Sequence, residues 1–265
     1  MDALIVYVDG IGFWTPGIPD WPAFERALER DDFTLPQTAT RPSPDALPPT
    51  ERRRAPEPVL LASEAAGQAC AMAGRDASML ASVFTSTHGD LAITDSMCAT
   101  LAADPRELSP TRFHNSVHNA PAGYWTVAAH CHAPATAISA ERGSFAAGLF
   151  EAALEVGAEG ESVLLGAYDI AAHGPLAEVA PSTLPFATAF VLSPARSASS
   201  IARLSLRSTQ RTPTVGTTAP SLAPLLDNPM GAQALPLLAA IARRETVEIV
   251  IASGPDTALA VEVTP

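Results

Sequence analysis

Apolar residues run unbroken from Ala3 to Val8 and stop at Asp9-Gly10. A short apolar run closed by a turn signal predicts a buried strand meeting a loop. The same pattern predicts strands over Met79–Ser86, Ser162–Tyr168, Ala187–Leu192 and Ile201–Leu206. A final pair, Glu248–Ala252 and Thr257–Val263, flanks the turn Ser253-Gly254-Pro255-Asp256. Helical spacing predicts helices over Trp21–Arg30, Val59–Gly74, Leu91–Ala103, Asn119–His130, Phe145–Val156 and Pro229–Arg243. Gly74 is placed as a C-cap, and Pro236 predicts a kink or break in the last helix. Strands alternating with helices predict an α/β layered domain, and the continuous strand runs predict a sheet covered on both faces.

Two stretches break this rhythm. Leu35 to Pro58 is dense in proline and polar residues, which argues against regular structure. It fits either a disordered linker or an ordered strap, with Arg52-Arg53-Arg54 bridging to an acidic body. The second stretch runs from Ser109 to Gly148. After the turn signal Ser109-Pro110, two histidines, two asparagines and a phenylalanine fall within the seven residues Phe113 to Asn119. A strand-like run, Thr136 to Ser139, then stops at Glu141-Arg142-Gly143, and a helix with the small-residue face Ala146, Ala147 and Gly148 begins at Ser144. Strand, tight turn and helix together are the layout that presents a nucleophile at a helix N-terminus.

With 265 residues the chain can bury a sizeable core, and its formal charge of −12 disfavours nucleic acid and anionic membranes as partners. No apolar run reaches the ~18 residues of a membrane helix, and MDALIVYVDG does not read as a signal peptide, so a cytoplasmic protein is expected. Cys70, Cys98 and Cys131 are odd in number and widely spaced, as reduced thiols are.

The chemistry-bearing residues carry competing readings. His114 and His118 are four apart and, with His130 and His132, suggest a metal site; no glutamate follows His114 in the metalloprotease pattern. The same histidines, with Asn115 and Asn119, equally fit a hydrogen-bonded interface, and this reading is preferred. No cofactor is expected. Cys131 between His130 and His132 fits an activated thiolate or, better, a small buried thiol. His88, near Ser86 and Asp90, fits a base or a hydrogen-bonded loop residue. Arg52 to Arg54 fit a phosphate, an acidic carrier protein or plain solvation.

Several of these segments together carry a resemblance. Ser109-Pro110, Asn119 to Gly123 and the strand–turn–helix Thr136 to Gly148 resemble the first half of the β-ketoacyl synthases, condensing enzymes of the thiolase fold. LPPTERRR (Leu47 to Arg54), FTSTHGD (Phe84 to Asp90) and SPTRFHNSVHNAPAGYW (Ser109 to Trp125) are similar to the short ketosynthase-like chain length factors of aryl polyene and xanthomonadin-type pigment synthesis. The resemblance runs from Val6 to Val263 and is weaker in the second half.

It implies a thiolase-like, layered α/β/α/β/α fold with a truncated second half: residues 1–195 as the N-terminal half and 196–265 as a reduced C-terminal one. It places the family's nucleophilic cysteine at Ala140 or Glu141, neither of which can attack a thioester as a thiolate does. The catalytic histidines belong to the family's second half, and here no histidine follows His173. The loop from Ser253 to Ala258 corresponds to the family's glycine-rich end loop in degraded form. The resemblance therefore implies a non-catalytic subunit that pairs with an active β-ketoacyl synthase and shapes or limits its acyl or polyene channel. Phe113, His114, Asn115, His118 and Asn119 would approach the channel, and Thr136 and Ile138 would pair with the partner's equivalent strand. Like charge would leave the acidic acyl carrier protein to dock chiefly on the synthase. The alternatives are a Cys131-dependent acyltransferase or thioesterase, and a homodimeric acyl-thioester-binding protein.

Overall fold

The computed structural model describes residues 3–37, 40–172, 174–178, 180, 182–213 and 218–265. Residues 38–39 of the proline-rich stretch, and His173, lie outside the described residues.

The first strand, β1 (Leu4–Trp14), does not end at Asp9-Gly10 as its sequence predicts. A register shift between Val8 and Gly10 absorbs Asp9, so one long strand pairs with two neighbours. The buried Asp9 carboxylate accepts hydrogen bonds from Ser193 at 2.6 Å and Ser200 at 2.7 Å, and Arg75 approaches to 3.4 Å. Those partners replace water, which is how an acid is tolerated inside the sheet.

Helix α1 (Trp21–Arg30) follows, capped by Asp20, which accepts from the Ala23 amide. The proline-rich stretch is more regular than its composition predicts. It contains a short helix, α2 (Pro49–Arg54), and α3 (Glu57–Ala73) starts within it. Prolines at the first turns of both helices remove only N–H groups that lack an intrahelical partner anyway. Leu47 and Ala55 are buried against Val59 and Leu60 of α3, with Tyr124 and Ala128 alongside, so this part of the stretch is an anchored strap. Of its arginines, Arg52 approaches Asp45 and bonds Ser43, both inside the strap itself.

Next come β2 (Ala81–Thr85), α4 (Leu91–Ala103), α5 (Pro110–Asn115), α6 (Ala120–Ala128), β3 (Ala135–Ile138), α7 (Ser144–Glu159), β4 (Val163–Asp169), β5 (Phe186–Ser193), β6 (Ala202–Thr209), α8 (Pro229–Ala242), β7 (Val247–Ala252) and β8 (Ala258–Thr264). Pro236 neither ends nor divides α8. The strands form one eight-stranded sheet in the order β3-β2-β4-β5-β1-β6-β8-β7, parallel from β3 to β4 and antiparallel beyond.

The chain stacks in layers about this sheet. Helices α3 and α6 cover one face of the first wing, around Leu61, Phe84, Trp125, Leu164 and Tyr168. On its other face α7 and α8 lie between β1, β2, β4 and β5 and the second wing, reaching β7 and β8. Leu149, Phe190, Leu235, Leu238, Leu204 and Val261 belong to that shared core. Where a sheet covered on both faces is expected, the second wing, β6, β8 and β7, is covered on its outer face only in part: Val250, Ala258 and Ala260 form a small buried cluster there. Its inner positions Leu204, Leu206, Val261 and Val263 are buried, but Arg207 and Glu262 point outward and are exposed. Arg207 and Arg211 both bond Glu248 there and hold its carboxyl below the usual range. Around these charges the strands show the alternation of a sheet with a solvated face.

Close approach fixes two glycines in β1. A Cβ at Gly12 would lie 1.8 Å from the Ala65 carbonyl oxygen of α3, and one at Gly10 would lie 2.2 Å from that of Ala69. Gly67, on the same helix, faces open space. Gly12→Ala should therefore cost about 3 kcal/mol or more of stability. Gly67→Ala should add about 0.5–1 kcal/mol by improving helix propensity. Urea denaturation of the two variants checks both signs.

Candidate functional site

Strands β3, β2 and β4 are parallel, and their C-terminal ends converge at Ser139, Ser86 and Asp169. Crevices at such ends are where α/β sheets place their chemistry. From β3 the chain enters a tight turn, Ala140 to Gly143, and then α7. Glu141 takes the left-handed conformation, φ 48°, which costs a non-glycine residue on the order of 1–3 kcal/mol. Hydrogen bonds hold it there. The Ser144 hydroxyl donates to the Glu141 carbonyl at 2.6 Å and accepts from the Ala140 amide at 2.9 Å, and the Gly143 amide donates to the Ala140 carbonyl at 2.8 Å. The loop after β7 lies on this turn: a Cβ at Gly143 would sit 2.6 Å from the Ser253 carbonyl oxygen. The sharp strand-to-helix elbow is thus built and buttressed, yet its side chains are a methyl group at Ala140 and an exposed carboxylate at Glu141.

Beneath the elbow lies a polar network that the sequence reading missed. Asp169 is buried at the end of β4. Its Oδ1 accepts from the Ser86 hydroxyl at 2.7 Å and the Thr87 amide at 2.8 Å, while its Oδ2 is buried without a hydrogen-bond partner among the described residues. Ser139 donates to the Thr87 carbonyl at 3.1 Å, tying the elbow to the same loop, and His118 Nε2 lies 3.3 Å from the Ser86 carbonyl. Asn228 caps α8 and donates to the Leu184 carbonyl at 2.8 Å and to that of Asp169 at 3.3 Å. The available signal was an acid closing a fully apolar strand. Burial pushes the Asp169 carboxyl above the usual range, against the pull of its bonds to Thr87 and Ser86 and of the nearby His88.

The predicted interface residues do not form one buried cluster. Asn115 is buried and accepts from the Tyr124 hydroxyl at 3.2 Å, and His118 is half-buried, but Phe113, His114 and Asn119 are exposed. They belong to a wider apolar surface. Helix α4 mixes apolar residues with Thr94, Asp95, Ser96 and Thr100; within it only Leu91 is buried, Leu101 is 47% exposed, and Phe113 of the neighbouring α5 is 60% exposed. β3, with Thr136 and Ile138 half-buried, is the free edge of the sheet.

Cys131 is buried and its thiol donates to the Leu80 carbonyl, while His130 and His132 face solvent. That geometry fits the packed thiol and not an activated nucleophile. Among the described residues, no three His, Cys, Asp or Glu residues are grouped to hold a metal, and no helix is long and apolar enough to cross a membrane.

The family model for the beta-ketoacyl synthase N-terminal domain matches residues 25–246. No curated protein is significantly similar in sequence. Among solved structures, the complex of the ketosynthase ApeO with its chain length factor ApeC from Xenorhabdus doucetiae contains a chain matched at TM-score 0.73 and 25% identity, over 98% of this chain and 99% of that one. The ishigamide ketosynthase/chain length factor matches at TM-score 0.73 and 13% identity, covering 98% and 99%. A β-ketoacyl synthase from Burkholderia phymatum matches at TM-score 0.58 and 15% identity, over 88% of this chain and 71% of that one.

Two measurements follow from the site. Because the folded Asp169 pKa is raised, its contribution to stability is present below the ordinary aspartate pKa of about 4 and is lost as pH rises toward the folded value. Thermal melts across pH should show Asp169→Asn gaining on the wild type above pH ~4 and not below it. Cys98 is exposed, Cys131 is buried, and burial pushes the Cys70 thiol up to about 12. A thiol reagent at neutral pH should therefore label Cys98 quickly, and Cys70 and Cys131 only on unfolding; fast native labelling of Cys131 would revive a role for it as nucleophile. With the elbow in place and the family model spanning most of its length, this chain belongs to the family of the beta-ketoacyl synthase N-terminal domain.

Proposed function

We propose that the chain is a non-catalytic ketosynthase-like subunit, a chain length factor. It pairs with an active β-ketoacyl synthase and shapes or limits the acyl channel of an aryl polyene-type pathway. The observation that supports this reading is the elbow itself: a strained, braced turn carrying Ala140 and Glu141, the positions at which the resemblance would put the family's thiolate. A carboxylate there would also oppose the negative charge that develops on a tetrahedral intermediate.

The surface beside the elbow supports pairing. Helix α4 leaves Leu101 exposed, α5 beside it carries the exposed Phe113, and β3 offers an open sheet edge. A synthase subunit seated there would cover the helix and continue the sheet. Phe113, His114, Asn115, His118 and Asn119 would then lie along or just behind the contact, near the partner's channel. Residues 1–195 would act as the ketosynthase-type half, with 196–265 as a reduced second one. The carrier protein would reach the assembly mainly through the synthase.

Co-expression with a catalytic ketosynthase should give a stable complex that elongates acyl chains, while this chain alone shows no condensation. Leu101→Asp would bury an unpaired charge in the contact and should weaken the complex by about 3 kcal/mol, leaving the melting of the isolated chain unchanged. Phe113→Ala with His118→Ala should reduce co-purification or alter product length by mass. Wild-type behaviour in both respects would remove these two residues from the interface.

A further inference from the structure

A cavity of about 760 Å³ opens between α1, α3, the end of α8 and the approach to β6. None of its lining residues comes from α4–α6 or β3, so it is separate from the surface assigned to pairing above. Trp21, Ile201 and Ile241 give it an apolar lining. Charges of both signs line it too: Asp20 and Glu25 from α1 and its cap, Arg196 from the β5–β6 loop and Arg244 from the end of α8. Among the described residues these acids and arginines form no ion pair. Asp20 accepts the Ala23 amide, and Arg196 donates to the Pro265 carbonyl at 3.4 Å. Two backbone features belong to the same space. Beyond Val8 the β6 side of β1 carries no ladder, and the Ile11 amide donates there to the Met72 sulfur at 3.3 Å, a weak acceptor; both residues line the cavity. Arg244 stands in the left-handed conformation, φ 53°. Its amide donates to the Ile241 carbonyl and the next amide, of Glu245, to that of Ala240, the helix ending in which glycine is the usual residue.

We propose that this cavity binds a short apolar peptide with free termini. Its carboxylate meets Arg196 and Arg244, its ammonium group meets Asp20 and Glu25, and its apolar side chains lie against Trp21, Ile201 and Ile241. A backbone carbonyl of the peptide takes the Ile11 amide from Met72. Unpaired charges of both signs in one lining call for a ligand that carries both, whereas a fatty acid would leave the two carboxylates facing its tail. The volume lies in the range of small-ligand sites, whose apolar walls carry a few placed polar groups. An amide carbonyl is a stronger acceptor than a thioether, and the unbranched, partly exposed Met72 can yield its place. Glycine at position 244 would relieve the left-handed strain, so an arginine kept there trades stability for a guanidinium at the cavity.

Calorimetric titration with the tripeptide Leu-Ala-Leu, its N-acetyl form and its C-terminal amide tests the proposal. The free tripeptide should bind saturably with a dissociation constant below about 1 mM, and each capped form roughly tenfold more weakly. Arg244→Gly should weaken the free tripeptide roughly tenfold and leave the affinity of the amide unchanged, while raising the melting temperature by about 2 °C. Glu25→Gln should weaken the free tripeptide and leave the N-acetyl form unchanged. Arg196→Ala, in a loop, repeats the arginine test without touching the helix end. Synthase pairing, which uses other faces, should be the same in all three variants, so failure here leaves the pairing reading standing. No saturable binding up to about 1 mM, equal binding of the free and capped peptides, or wild-type affinity in both arginine variants overturns the inference.

Discussion

Helices α7 and α8 are held on two sides at once, and that double burial is the constraint on which the rest depends. The first wing of the sheet presses on one side of the pair and the second wing on the other, with Leu149, Leu235, Leu238 and Val261 in one continuous core. Burying side chains of this kind contributes about 1.5–3 kcal/mol each. A helix so confined can carry strain at its N-terminus without relaxing. That is what allows Glu141 to remain in a left-handed conformation with only backbone and Ser144 hydrogen bonds to secure it. The elbow is therefore a property of the core.

The parts of this arrangement that rest on local signals could be read from the sequence. Helices α1 and α4 begin and end where periodicity places them, because Asp20 and Asp90 cap their first turns. Gly74 closes α3 in the left-handed conformation its position called for. The elbow was legible for the same reason, since it is a strand, a turn and a helix that are neighbours in sequence. What could not be read depends on distant partners. Asp9 looked like a strand end because its carboxylate needs Ser193 and Ser200, far along the chain. Proline density disguised α2, whose prolines sit where helices tolerate them. The network under the elbow joins Asp169 to Ser86, Thr87 and Asn228 from three separate segments, so no spacing rule could have collected them.

A comparison of two helices shows what sequence does and does not say about partners. Helix α8 is apolar around almost its whole circumference, whereas α4 interrupts its apolar residues with Thr94, Asp95, Ser96 and Thr100. Folding buries α8 between the wings and leaves α4 outside. Leu101 of α4, Phe113 and the β3 edge are what this chain's own core leaves uncovered on its first wing.

The outward face of β6, β8 and β7 has a different consequence. Any helix laid across it would have to desolvate Glu248, Glu262 and Arg207, and the Arg207–Glu248–Arg211 cluster would lose its water. Stripping a single ion of its hydration costs several kcal/mol even after relaxation. Grafting an outer helical cover from a longer relative onto this wing would therefore fail unless those charges were replaced first.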